Sequence, residues 1–116
     1  MTVKSIHNNT GAIEYIVYAL EVASDKTTIY IHSDSDSPLP YEHDLVEYEI
    51  TDASVPTEWV ADGIEYISGK KVLRISYPEW VKDRDFYWSL SDGDKKQMEI
   101  HKSYRNKYQD GNDHQP

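Results

Sequence analysis

Two histidines, His32 and His43, stand among small and acidic residues in His32-Ser33-Asp34-Ser35-Asp36 and Glu42-His43-Asp44. A loop folding back between them would bring imidazoles and carboxylates together, a mixture that zinc or a harder divalent ion accepts. The calcium-loop pattern fails there, because Pro38 and Leu39 take the places of a ligand and the glycine, and Leu45 that of the closing glutamate. His32 and His43 are thus metal candidates without a motif behind them, and no metal or other cofactor is expected. Nucleophilic catalysis is served no better. No serine lies in a Gly-x-Ser-x-Gly elbow, there is no cysteine, and the five glycines are isolated, so no phosphate-cradling loop exists. No pair of carboxylates stands apart from the 21 acids for acid/base work, and the expectation is a protein that is not an enzyme.

Charge is the informative feature. The chain has 21 acidic and 12 basic side chains, a net charge of −9. Residues 1–67 hold 13 acids against two bases, a net −11, whereas residues 68–116 hold eight against ten, a net +2. From Asp34 to Glu65 come Asp34, Asp36, Glu42, Asp44, Glu47, Glu49, Asp52, Glu58, Asp62 and Glu65, with no Lys or Arg between them. Two carboxylates about 7 Å apart repel by roughly 0.6–1.2 kcal/mol before salt screening. A basic partner that covers the surface offsets this cost, and the same field steers that partner in and rejects wrong ones. Tyr41 and Trp59 lie among these acids as candidate anchors, since aromatics inside a charged rim carry much interface energy. Two plainer accounts compete: a solvated face that serves solubility, and neutralisation of the acidic strands by the basic C-terminal helix, within one chain or head to tail between copies.

In size, lack of cysteine and charge the chain is similar to small acidic inhibitors and immunity proteins of bacteria, which neutralise basic nuclease toxins, and to phage-encoded mimics of DNA. No motif carries this likeness. It implies a basic partner protein, such as a toxin or a nucleic-acid-binding protein, with carboxylates such as Glu47 and Glu49 standing where phosphates otherwise sit. The alternatives are a structural or accessory protein of a phage or other assembly, and a metal-dependent enzyme. The overall sign disfavours direct contact with nucleic acid. There is no run of 18 apolar residues and no export signal in the first 20, so a cytoplasmic monomer away from membranes is expected.

The elements that must position these groups are mainly strands. Ten Ile and eight Val outnumber five Leu, and ten Tyr with three Trp supply the large buried surfaces of a modest core. Strands are predicted at Thr2 to His7, Ile13 to Val22, Thr27 to His32, Leu45 to Ile50, Ile64 to Ile67 and Lys71 to Tyr77. Turns fall at Asn8 to Gly11, Ala23 to Lys26 and Ser68 to Lys70. Ile13, Ile16, Val17 and Leu20 also have helical spacing, but β-branched and aromatic content favours a strand there. Alternation in Leu45 to Ile50 sends Val46, Tyr48 and Ile50 inward and Glu47 and Glu49 to water. Trp59 pins an irregular corner from Thr51 to Ala61. Asp83 is expected to cap a short helix through Phe86, Tyr87 and Leu90; Gly93 ends it and Asp94 caps a last helix to about Tyr108. Ile100, Tyr104 and Tyr108 form its docking stripe, and Trp80, Phe86, Tyr87 and Trp88 read as core. Asn8-Asn9-Thr10 matches the glycosylation triplet by chance. The expected architecture is one α+β domain over residues 1–109, an antiparallel sheet of five or six strands, bent or partly closed, followed by two helices and a disordered tail, 110–116.

Overall fold

The computed structural model describes residues 1–7 and 13–113, so the predicted turn at 8–11, with its glycosylation triplet, lies outside the described residues. In chain order these form β1 (Thr2–Ser5), β2 (Glu14–Val22), β3 (Thr27–Ile31), β4 (Tyr41–Asp44), a 3₁₀ turn (Leu45–Glu47), β5 (Tyr48–Asp52), β6 (Val60–Glu65), β7 (Lys71–Ser76), α1 (Pro78–Lys82), α2 (Phe86–Ser91) and α3 (Lys95–Asp113). Every pairing is antiparallel. The strand path runs β4-β3-β2-β1-β5, and β7 joins β2 to β6. The α+β class holds, with strands first and helices last. Among the described residues β4 is the strand beyond the expected six, and α1 the helix beyond the expected two.

Strand β2 carries both cores. Val17 lies opposite Ile31 and Ala19 opposite Tyr30, so β2 holds one extra residue, a β-bulge. The bulge turns both Tyr18 and Ala19 toward the helices, where they meet Tyr30, Tyr77, Trp80, Phe86 and Leu90. Val17 and Leu20 face the other side with Val3, Ile29 and Ile31, and there Leu45 and Tyr48 fold over them. The three-residue spacing of Val17 and Leu20, which imitates a helix, is a product of that bulge. Covering each such large side chain contributes about 1.5–3 kcal/mol.

The helix ends follow local chemistry. Gly93 has φ +81°, its N–H reaches the Leu90 carbonyl at 3.1 Å, and the Asp94 carboxylate accepts from the Lys96 N–H at 3.1 Å, the stop and start expected of these residues. The stripe of Ile100, Tyr104 and Tyr108 packs against the sheet. Helix α3 runs on to Asp113, past the expected end near Tyr108 and into the segment read as a tail; residues 114–116 lie outside the described residues. Asp83 takes a different role, its carboxylate accepting from the Asp85 N–H at 3.0 Å, with α2 starting only at Phe86.

Three expectations are corrected. The irregular corner from Thr51 to Ala61 is shorter than expected and the strand placed at Ile64 to Ile67 lies earlier, since β5 runs to Asp52 and β6 spans Val60–Glu65. Leu45 to Ile50 is not a continuous strand, because the Asp44 carboxylate accepts from the Val46 N–H at 3.1 Å and starts the 3₁₀ turn. This local bond competes with the ladder and leaves Val46 71% and Ile50 44% exposed, so Tyr48 alone of the three packs inward. Trp88 is not core: Phe86 and Leu90 occupy the buried side of α2, and Trp88, on the other side, is 70% exposed. Among the described residues no helix is long and apolar enough to cross a membrane.

Candidate partner-binding surface

The ten mid-chain acids divide among three places. Glu42 and Asp44 lie on β4, Glu47 in the 3₁₀ turn, and Glu49 and Asp52 on β5. These strands end the path at opposite sides, yet the turn joins them directly and a Tyr48 Oη–His43 Nδ1 hydrogen bond of 3.1 Å ties them together. Five carboxylates therefore follow one another along consecutive elements of this margin, and the last, Asp52, shares a cleft with Glu58 and Lys107. Lys4 approaches Glu49 at 3.7 Å and His7 bonds Glu47. Two Ser54 donors hold the Asp52 carboxyl below its usual range, the hydroxyl at 2.7 Å and the N–H at 2.9 Å. Exposed Ile6, Val46 and Ile50 sit among these acids. Sequence alternation missed them, since it placed Val46 and Ile50 inside and left Ile6 unassigned.

Asp34, Asp36 and Glu58 lie instead beside the basic helix. Arg105 of α3 clamps the loop bearing Asp34 and Asp36 by donating to the carbonyls of Ser35 at 2.9 Å and Ser37 at 3.1 Å. A cleft of about 800 Å³ between loop and helix mixes Asp36 and Glu99 with Lys95, Lys102 and Arg105. Glu58 accepts from Lys107 at 2.7 Å. Partial burial works to raise its carboxyl, but the ammonium and hydrogen bonds outweigh it and leave it below the usual range. Asp62 and Glu65 occupy β6, which pairs with β7 away from β4 and β5. Of the two aromatic anchors, Tyr41 is exposed on β4. Trp59 is turned inward, packs against both cores, and donates from Nε1 to Tyr108 Oη at 2.9 Å.

The two histidines singled out as metal candidates do not share a site. His43 bonds Ser33 Oγ through Nε2 at 3.1 Å and Tyr48 through Nδ1. Burial lowers its pKa, against the pull of Glu42. Ser33, His43 and Tyr48 have the connectivity of nucleophile, base and orienting group, but the five best-formed clefts among the described residues are lined by other residues. His32 is buried against His101, with facing Nε2 atoms 2.8 Å apart. Its Nδ1 lies 3.1 Å from the Ser37 carbonyl, and His101 Nδ1 lies 2.8 Å from Tyr77 Oη. Two neutral rings satisfy this chain: Tyr77 donates to His101, His101 to His32, and His32 to Ser37. Among the described residues no three His, Cys, Asp or Glu side chains converge on a metal site.

A second polar cluster is partly buried, around the buried Arg74. Glu21 accepts from Tyr30 at 2.9 Å, Tyr66 at 2.6 Å and Arg74 at 3.2 Å, and Arg74 donates onward to the Arg84 carbonyl at 3.2 Å. Neither His101 nor this pair was visible in sequence, because their partners lie dozens of residues away. Comparison with protein-family models, curated proteins and solved structures gave no match.

Proposed function

We propose that the chain is a non-enzymatic binding protein whose β4-to-β5 margin covers a basic surface on a partner protein. The observation that carries this reading is the run Glu42, Asp44, Glu47, Glu49 and Asp52 on consecutive elements, with Lys4 and His7 the only cationic side chains paired to it among the described residues. Such a margin attracts a basic surface from a distance, while Tyr41, Val46 and Ile50 supply apolar contact once it arrives. Carboxylates in this arrangement stand where phosphates sit on a nucleic-acid-binding protein. Inhibition of a nuclease toxin, or mimicry of DNA toward another basic protein, is the activity this surface suits best.

Binding kinetics against basic nucleases, at low and at physiological ionic strength, test it. Added salt, or the double reversal Glu47→Lys with Glu49→Lys, should slow association about tenfold and change dissociation less. Rates that ignore both salt and reversal overturn the proposal. A second reading, a subunit of an assembly, draws on another region, where Ile67 is fully exposed and Trp88 70% exposed. Self-association of the pure chain that is lost on Trp88→Ala would favour it.

A further inference from the structure

We infer that the partner engages this margin with an extended basic segment, added to the sheet as a new strand along β4. This rests on the partner-binding reading above and specifies the partner's form. Among the described residues the sheet has three outer edges, β4, β5 and β6, each paired on one side only. Hydrogen bonds along antiparallel strands alternate, so a single bonded pair fixes which main-chain groups point outward.

At β6, Tyr66 N–H donates to the Lys70 carbonyl at 2.8 Å, which turns Ala61, Gly63 and Glu65 outward. Two of these groups already have partners. Gly63 N–H bonds the Asp62 carboxylate at 2.9 Å, and the Glu65 carbonyl accepts from Arg84. At β5, Ile6 N–H donates to the Glu47 carbonyl at 3.1 Å, which turns Tyr48 and Ile50 outward. There Tyr48 N–H bonds back to Leu45, and an extra residue between Ile50 and Asp52 breaks the row.

Edge β4 differs. The β2–β3 hairpin closes with Ala23 N–H on the Lys26 carbonyl at 2.9 Å; alternation from that pair makes Ile29–His43 and Ile31–Tyr41 the bonded pairs of β3 with β4. Both main-chain groups of Glu42 and the N–H of Asp44 therefore face away from the sheet. The Pro40 carbonyl, next in the same row, accepts from Tyr87 Oη at 2.8 Å, as an outward group would. Among the described residues no hydrogen bond takes the Glu42 main-chain groups.

An unpaired row of this kind is a template for strand addition, and charge selects the strand. A second copy of β4 would set Glu42 and Asp44 against like charges, which destabilises directly opposed pairs. A segment with Lys or Arg at alternate positions instead places each cation about 5 Å from a carboxylate. Its intervening side chains then lie on the face of exposed Tyr41.

The test titrates a short synthetic peptide of alternating lysine and valine into the full chain at low salt, followed by amide NMR and calorimetry. Saturable binding is expected, with slowed exchange of the Glu42 and Asp44 amides. Backbone N-methylation of one alternate set of peptide residues should weaken binding about tenfold, and of the other set hardly at all. Glu42→Lys with Asp44→Lys should abolish binding, whereas Asp62→Lys with Glu65→Lys on the blunted edge should not. Equal, salt-sensitive binding of both methylated peptides overturns strand addition and leaves partner binding by charge standing. Binding that ignores salt and every reversal overturns both, and failure of the unmethylated peptide to bind overturns the inference.

Discussion

The polar groups beneath the helices and those along the β4-to-β5 margin come from the same chemical inventory but are treated in opposite ways. Under the helices two networks close on themselves, Tyr77–His101–His32 and Glu21 with Tyr30, Tyr66 and Arg74, while Gln97 Oε1 and Arg105 Nε lie buried without a partner. Along the margin, among the described residues, Glu42 has no cation paired to it, Asp44 and Asp52 hydrogen-bond only their own neighbours, with the Met1 ammonium attracting Asp52, and the main chain of β4 is open on one side. Buried polar atoms without partners are expensive, which is the reason these two networks pair nearly every group they bury. Water satisfies the margin, which leaves it free to bind something else.

The contrast breaks most visibly at Arg74, which is 5% exposed. Arg74→Ala leaves Glu21 buried without its countercharge, and the expected loss is about 3–5 kcal/mol in urea unfolding. Removing both charges, Glu21→Gln with Arg74→Met, should recover part of that loss, since no ion is then stranded and Gln accepts from one of Tyr30 and Tyr66 through its oxygen and donates to the other through its amide nitrogen. A single replacement at Arg74 costing under about 1 kcal/mol would mean that the interior tolerates unpaired charge as the margin does.

Acid sharpens the same comparison. Burial lowers His32 to about 4, helped by the Arg105 guanidinium, and lowers His101 to about 3, helped by His32 and Arg105. In the unfolded chain both titrate near ~6.5. Above that pH neither affects stability. Below it the unfolded chain takes up protons that the folded chain excludes, so stability falls as pH falls through the window down to about 4 and 3. By about pH 5 the loss should approach 2 kcal/mol for each ring. His101→Gln, though less stable at neutral pH, should show a flatter fall between about pH 6.5 and 5 than the parent chain. Parallel slopes would mean that the rings are not shielded from protons.

How much of this was legible follows from the distance over which each feature is encoded. Asp94 and Gly93 announced a helix start and stop because capping is decided within a few residues. The β-branched run Ile13 to Val22 announced a strand, but its bulge was hidden: Val17 and Leu20 share a face only because Tyr18 and Ala19 both turn to the helices. Val46 was misplaced because the Asp44 side chain competes with the ladder, a contest that alternation does not register. Mid-chain charge was plain in the sequence. Its division was not, since Glu58 meets Lys107 and the Asp34 loop meets Arg105 only after α3 crosses the sheet. His101 carries no local signal, because its partner His32 is 69 residues away.

The smallest expected effect bears most directly on why the margin exists. Glu42→Gln removes an exposed charge that no cation pairs with among the described residues and relieves repulsion from Asp44 and the acids beyond it. The variant should gain about 0.3–0.5 kcal/mol at low salt, and the gain should shrink as salt screens the parent's repulsion. The same substitution should weaken capture of a basic partner, because the carboxylate that burdens the free protein is the one the partner would neutralise. Stability and binding would then move in opposite directions at one residue, the behaviour of a surface kept for binding at a cost in stability. Were Glu42→Gln instead to destabilise the chain by 1 kcal/mol or so at every salt concentration, the margin would be holding the fold together as the interior does, and the difference between the two regions would disappear.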